Sequence, residues 1–187
     1  MPSVCDHGGV EENPVPPRIL EALEQADDLS EVGRIVRTAA RGLTGAMGAT
    51  FVLRDVDQCF YADEDAIAPL WKGQRFPMTS CISGWAMLHG TTAVVPEIED
   101  DSRIPLEAYR PTFVRSLAMA PAGTPEPVAA IGAYWTTPRT PTADEVAALE
   151  ALAAATGRAI NRIGLDDAPW APRFGHAEAA TSSAAPA

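Results

Sequence analysis

The sequence predicts an α+β domain in which one antiparallel sheet is covered on one face by helices from the two ends of the chain. Three observations predict it. Apolar residues recur at helical spacing near both ends. Between them, β-rich runs come in pairs joined by short turn-forming segments. A single short helical run, bounded by a hydroxyl and a glycine, separates the pairs.

The first helical period runs through Ile19, Leu23 and Ala26, and resumes at Val32, Ile35, Val36, Ala39 and Leu43. The break falls at Asp27 and Asp28. Asp28 and Glu31 have capping-box spacing, so a second helix starts there and stops between Gly42 and Gly45. Ala49–Asp55, Val56-Asp57 and Gln58–Tyr61 read as strand, turn and strand. A mixed segment with Trp71 and Phe76 follows. Residues 80–90 form the short helix, with Ser80 as cap and Gly90 as stop, and residues 91–95 form a strand closed by Pro96. Pro105 to Arg110 makes one or two helical turns. Arg115–Pro121 and Val128–Trp135 are strands around the turn-forming run 122–127. Thr142 and Glu145 form a second capping box, opening a helix striped by Val146, Leu149, Ala153, Thr156, Ile160 and Ile163. Part of that stripe suits the protein's own sheet and part suits a second copy, so a homodimer through the terminal helices is expected.

Residues 1–17 and 165–187, rich in Pro and Gly or in Ala, Ser and Pro, are expected to be disordered tails around a folded domain at 18–164. Twenty-five acidic residues against 14 basic ones, with Lys72 the only lysine, argue against a nucleic-acid partner. Arg34, Arg37 and Arg41 read as a solvated helix face, as do the carboxylate pairs Asp63/Asp65 and Glu97/Asp101 in their loops. With neither a long apolar run nor a secretory leader, no membrane partner and a cytoplasmic location are expected. Three scattered cysteines (Cys5, Cys59, Cys81) fit a reducing compartment. Cys5 and His7 lack the further ligands a metal needs, and neither His89 nor His176 has a catalytic partner at a recognisable spacing. No catalytic residue and no metal site are assigned.

This element order, with the phrases from Phe76 to Ala86, Thr92 to Pro96, Arg115 to Pro121 and Ile131 to Trp135, resembles the GAF domain family over residues 20–163. It looks closest to the GAF domains of bacterial two-component sensor kinases. The chain has neither a phospho-acceptor helix nor an ATP-binding glycine-rich segment, so the domain is expected to stand alone. The resemblance implies a ligand pocket on the sheet face opposite the terminal helices, and a non-enzymatic module that binds a small molecule and relays occupancy. A histidine kinase or another signalling protein is the implied output partner. No particular cofactor is implied. The bilin-binding branch has an Asp-Ile-Pro element where this chain has Ser80-Cys81-Ile82-Ser83, and the cyclic-nucleotide pattern is missing.

Mapped onto this sequence, the pocket falls within residues 60–119. Phe60, Trp71, Phe76, Cys81, Trp85, Tyr109, Phe113 and Met119 would supply an apolar lining, and Arg110 or Arg115 would hold an anionic group. Two other readings compete with it. The free methionine-R-sulfoxide reductases are GAF domains with catalytic cysteines. Alignment on Gly84 puts Ser83 at such a position, with Cys81 two residues away and no resolving cysteine nearby in sequence. The third reading is an interaction domain whose pocket is plugged by its own Trp71 and Trp85.

Overall fold

The computed structural model describes residues 13–164. Two helices, α1 (Pro17–Gln25) and α2 (Leu29–Thr44), lead into β1 (Gly48–Asp55) and β2 (Gln58–Ala66). A short β3 (Arg75–Pro77), α3 (Ile82–His89), β4 (Ala93–Val95) and α4 (Leu106–Tyr109) follow, then β5 (Ser116–Ala122), β6 (Ala129–Trp135) and α5 (Ala143–Ile163). The six strands form one sheet in the order β3-β2-β1-β6-β5-β4, with every neighbouring pair antiparallel. Cys5, His7, His176 and both expected tails lie wholly or mostly outside the described residues.

The helix boundaries follow local chemistry. Thr142 accepts from the Glu145 amide and Glu145 reaches back to the Thr142 amide, completing the expected capping box. At α2 only half the box forms: Asp28 accepts from the Glu31 amide, while the Glu31 carboxylate turns to the Asp27 amide. Gly45 stops α2 in the left-handed conformation, and Gly90 does the same for α3. The hydroxyl cap expected at Ser80 is not there. A 3-10 turn over residues 78–80 pushes the helix start one residue on, so that Cys81 occupies the N-cap.

The sheet separates two cores. On one face α1, α2 and α5 pack Leu23, Val32, Val36, Leu149, Leu152 and Ile160 against Phe51, Leu53 and Ile131. The strands opposite α5 present Ala118, Ala120, Ala122, Ala129 and Ala133, small side chains that let the helix lie close. Leu149, Ala153, Thr156 and Ile160, the middle of the stripe that suggested a dimer, are thereby buried within the chain's own core. Arg162 on α5 donates to the carbonyls of Leu23 and Ala26, which supplies partners at the otherwise uncapped C-terminus of α1.

A β-bulge decides what β2 shows to each face. Val52 pairs with Tyr61 but Phe51 pairs with Asp63, which leaves Ala62 as an extra residue. One extra residue inverts the alternation beyond it. Asp63 and Asp65 therefore turn to α2, where Arg37 Nε meets Asp63 at 2.8 Å and Arg41 meets Asp65 at 2.7 Å. These arginines and carboxylates, expected to be solvated, are instead paired and tie α2 to β2. The Glu97/Asp101 pair is likewise engaged, Glu97 by Arg115 and Asp101 by Arg103.

Candidate functional site

The second core lies on the face away from the terminal helices, under α3, α4 and the connecting loops. Its centre is aromatic. Trp71 lies 4.7 Å from Tyr109, 5.5 Å from Tyr61 and 5.7 Å from Tyr134, measured between rings, and Phe76 meets the Tyr61 edge at 5.5 Å. Such tilted and edge-on pairs add attraction to the apolar burial. Glu64, which the bulge turns to this side, accepts from the amides of Leu70, Trp71 and Lys72 and so holds the loop that delivers Trp71. The indole nitrogen of Trp71 donates to the Ala108 carbonyl, binding α4 above it.

Polar groups inside this apolar layer are partnered. Tyr134 shares a hydrogen bond with Thr50 at 2.8 Å, and Gly132 makes room for it, since a Cβ there would run into both groups. Tyr61 bonds to Ser83 at 3.1 Å, and burial raises the pKa of both Tyr61 and Tyr134 so that their hydroxyls stay protonated. Ser83 also bonds to Cys81 Sγ at 3.3 Å. The Cys59 thiol, in the same core, lowers the Cys81 pKa from 9.0 to about 6. Ser83 and the amides of Ser83 and Gly84 pull the same way, against the opposing effect of burial. The Cys59 thiol is pushed strongly upward by Cys81 and by burial. Gly84 is needed where α3 meets the 3-10 turn, because a Cβ there would overlap the Met78 carbonyl.

The residues expected to line a pocket divide into four groups. Trp71, Cys81, Tyr109 and Met119 are buried in the second core, with Phe76 half-buried against it, so they fill the space assigned to a ligand. Trp85 and Phe113 are half-buried at its rim. The Trp85 ring is stacked on His89 at 4.5 Å and covered by Arg103, also at 4.5 Å. His89 additionally meets the Trp85 carbonyl at 2.8 Å, consistent with its expected place at the carbonyl end of the helix. Tyr109, Arg110 and Arg115 come together along a cleft of about 550 Å³ between the 98–100 turn and α4, with Ile98, Leu106 and Val114 as its apolar walls. Phe60 is on the wrong face. Cys59 and Tyr61 point to the second core, so the residue between them points to the helices. There Phe60 pairs across the ladder with Leu53, and the Arg75 guanidinium covers its ring at 4.1 Å.

Four contributors were missed by the sequence reading. Cys59 and Tyr61 carried a usable signal, since two residues apart on a strand they share a face. Ser83 and Tyr134 meet their partners only through the tertiary fold.

At the cleft, Arg115 contacts Glu97 at 3.2 Å and Glu99 at 3.6 Å, while its buried Nε makes no hydrogen bond among the described residues. Arg110 is exposed and paired with Glu107 at 2.7 Å. No metal-binding cluster of His, Cys, Asp and Glu is present among the described residues, and no described helix is long and apolar enough to cross a membrane.

Solved structures share this architecture at low identity. Free methionine-R-sulfoxide reductase from Neisseria meningitidis, solved in complex with its substrate, is 19% identical with a TM-score of 0.67, over 80% of this chain and 87% of that one. The GAF domain of a phosphoenolpyruvate-protein phosphotransferase from Coxiella burnetii is 12% identical with a TM-score of 0.68, over 78% and 89%. The GAF-B domain of DevS from Mycobacterium smegmatis is 17% identical with a TM-score of 0.60, over 72% and 94%. At these identities the likeness concerns the fold. No curated protein sequence matches the chain. The GAF domain model matches residues 26–161, most of the chain, and the protein belongs to the GAF domain family.

Proposed function

We propose that this GAF domain is a non-enzymatic sensory module that takes a small molecule with an anionic end and an apolar body at the cleft beside α4. The observation that carries this reading is Arg115, a cation at a cleft with mixed polar and apolar walls, whose buried Nε has no hydrogen-bond acceptor among the described residues. An incoming carboxylate or phosphate would replace the exposed Glu99 carboxylate at its outer edge. Ile98, Leu106 and Val114 would take the apolar body. Tyr109 links the cleft to Trp71, and Trp71 packs on Tyr134 of β6, so occupancy has a contiguous packed route into the sheet that α5 covers.

Native mass spectrometry of freshly purified protein would identify a retained ligand, and calorimetry with that ligand would measure its affinity. Losing a charge-assisted hydrogen bond costs about 1.5–3 kcal/mol, so Arg115→Ala should weaken binding by roughly 10- to 100-fold. A ligand that binds folded Arg115→Ala as tightly as wild type, or that sits between α1 and α5, would overturn the placement. Output through a histidine kinase or another signalling protein, and a homodimer, belong to the same proposal. The dimer would use the exposed flank of α5, around Ala147, Ala154 and Arg158, since the centre of its apolar stripe is buried. Light scattering that finds only monomer at tens of micromolar would remove it.

A further inference from the structure

Arg115 does not stand at its cleft alone. Its guanidinium is 3.2 Å from Glu97 and 3.6 Å from Glu99, so two carboxylates share one cation. Arg110, also on the cleft wall, is taken by Glu107 at 2.7 Å. Three carboxylates against two guanidiniums leave one negative charge in excess. The chain as a whole is acidic too, with a formal charge of −11. A ligand carrying only negative charge would enter against both.

The two carboxylates on Arg115 differ. The Glu97 side chain is 22% exposed and has a second bond, accepting from the Glu99 amide at 3.4 Å. That of Glu99 is 64% exposed, and among the described residues its carboxylate has only the looser contact with Arg115. Glu99 therefore yields first. Yet Glu99 also lines the cleft, so its displaced carboxylate stays beside whatever replaces it. The neighbouring Thr112 hydroxyl offers no relief, because it donates to the Tyr109 carbonyl at 2.7 Å and accepts from the Val114 amide at 3.3 Å.

We propose that the cleft selects a small zwitterion and that Glu99 is the residue that sets the selection. The ligand's carboxylate takes Arg115, its ammonium group takes the displaced Glu99, and its apolar body lies against Ile98, Leu106 and Val114. A monoanion gains the first of these contacts but leaves Glu99 facing a like charge, and a phosphate dianion makes that repulsion worse. A zwitterion leaves the local charge unchanged and brings a partner for each group it separates. Selection of this kind rests on the proposal that Arg115 holds an anion, and adds the charge of Glu99 as the discriminator.

Three probes with one branched apolar body separate the contacts: leucine carries both charges, isocaproate only the carboxylate and isopentylamine only the ammonium. Calorimetry with the full chain should rank leucine first, with each of the other two at least about fivefold weaker, the upper end of what an exposed charge pair contributes. Glu99→Gln keeps the side chain's size at an exposed position and should erase the preference over isocaproate. Isocaproate should bind that variant at least as tightly as wild type, because its competitor for Arg115 is gone, while leucine falls to the isocaproate level. Arg115→Ala should weaken both. Circular dichroism establishes that the variants are folded, and Glu99→Gln alone decides if Arg115→Ala is not. Isocaproate binding wild type as tightly as leucine, or a leucine preference that survives Glu99→Gln, would overturn selection by Glu99 and leave the anion site standing. Isopentylamine binding as tightly as leucine, or no binding by any probe, would remove the anion site as well.

Discussion

The two faces of the sheet are built from different chemistry. Beneath α1, α2 and α5 the core is aliphatic and rich in alanine, its long helices close to the strands. Under α3 and α4 the core holds Tyr61, Trp71, Tyr109, Tyr134, both described cysteines and Ser83, covered by short helices and loops. The difference teaches that burial alone does not mark function. Both faces bury a core, but the buried tyrosines and cysteines, the groups that can ionise or react, belong to the second. Stability can be concentrated on the first face because it is built mainly from aliphatic packing. The second contributes packing as well, but must also satisfy each polar atom it encloses.

The largest effect expected from breaking this contrast is on the helical face. Leu152→Ala removes a fully buried side chain from α5 and should cost about 2–5 kcal/mol in denaturant unfolding. Cys81 reactivity should be unchanged in the fraction that remains folded. A loss of Cys81 reactivity in folded Leu152→Ala would mean that the two cores are not separable.

Trp71→Phe on the other face should cost less, about 1–3 kcal/mol, through a smaller ring and the lost hydrogen bond to Ala108. Its distinctive sign would be local. Hydrogen exchange should quicken across residues 106–112 with little change in α5, whereas uniform quickening would show that Trp71 supports the whole domain.

The lowered Cys81 pKa predicts a pH-dependent stability. From pH 6 to 9 the native state has lost the Cys81 proton and kept that of Cys59, while the unfolded chain still binds both. The unfolded state binds more protons in this window, so stability due to the pair rises with pH, and it is lost as pH falls through about 6. Above pH 9 the unfolded chain releases both protons while folded Cys59 retains its own, so the contribution falls again. Unfolding curves of Cys5→Ser protein with and without Cys81→Ser, compared from pH 5 to 10, would isolate it. A pH-independent difference would refute it. Alkylation of Cys81 should follow the same group, with a midpoint near pH 6.

The smallest effect belongs at the rim. Arg110→Ala breaks only an exposed pair with Glu107, so the unfolding midpoint should not move. A clear destabilisation would place Arg110 in the fold rather than at its edge.

Much of the fold could be read locally. Capping boxes, glycine stops and paired strands are signals carried by a few adjacent residues, and Asp28, Thr142, Gly45 and Gly90 take the roles their chemistry suggests. Readings that required a side chain's direction fared less well. Phe60 was assigned to the ligand face because it is aromatic and near the right segment, but strand alternation turns it away. Asp63 and Asp65 were read as solvated because nothing local announces a bulge at Ala62 or arginines waiting on α2. Tyr109, Arg110 and Arg115 do meet along one cleft, yet Trp71 and Met119 fill the interior they were expected to line.

By itself the sequence determined the α+β class, the order of the elements other than the short β3, the family resemblance and the segments in which chemistry is concentrated, because periodicity, capping and turn propensity act over a few residues. Only the tertiary structure decided that the aromatic segment closes on itself and that Cys59 and Cys81 share one core. Both outcomes depend on which residues distant in sequence are packed together. That is set by strand register, a one-residue bulge and the approach that Gly84 permits between α3 and Met78, and each of these acts through close packing across the sheet rather than along the chain.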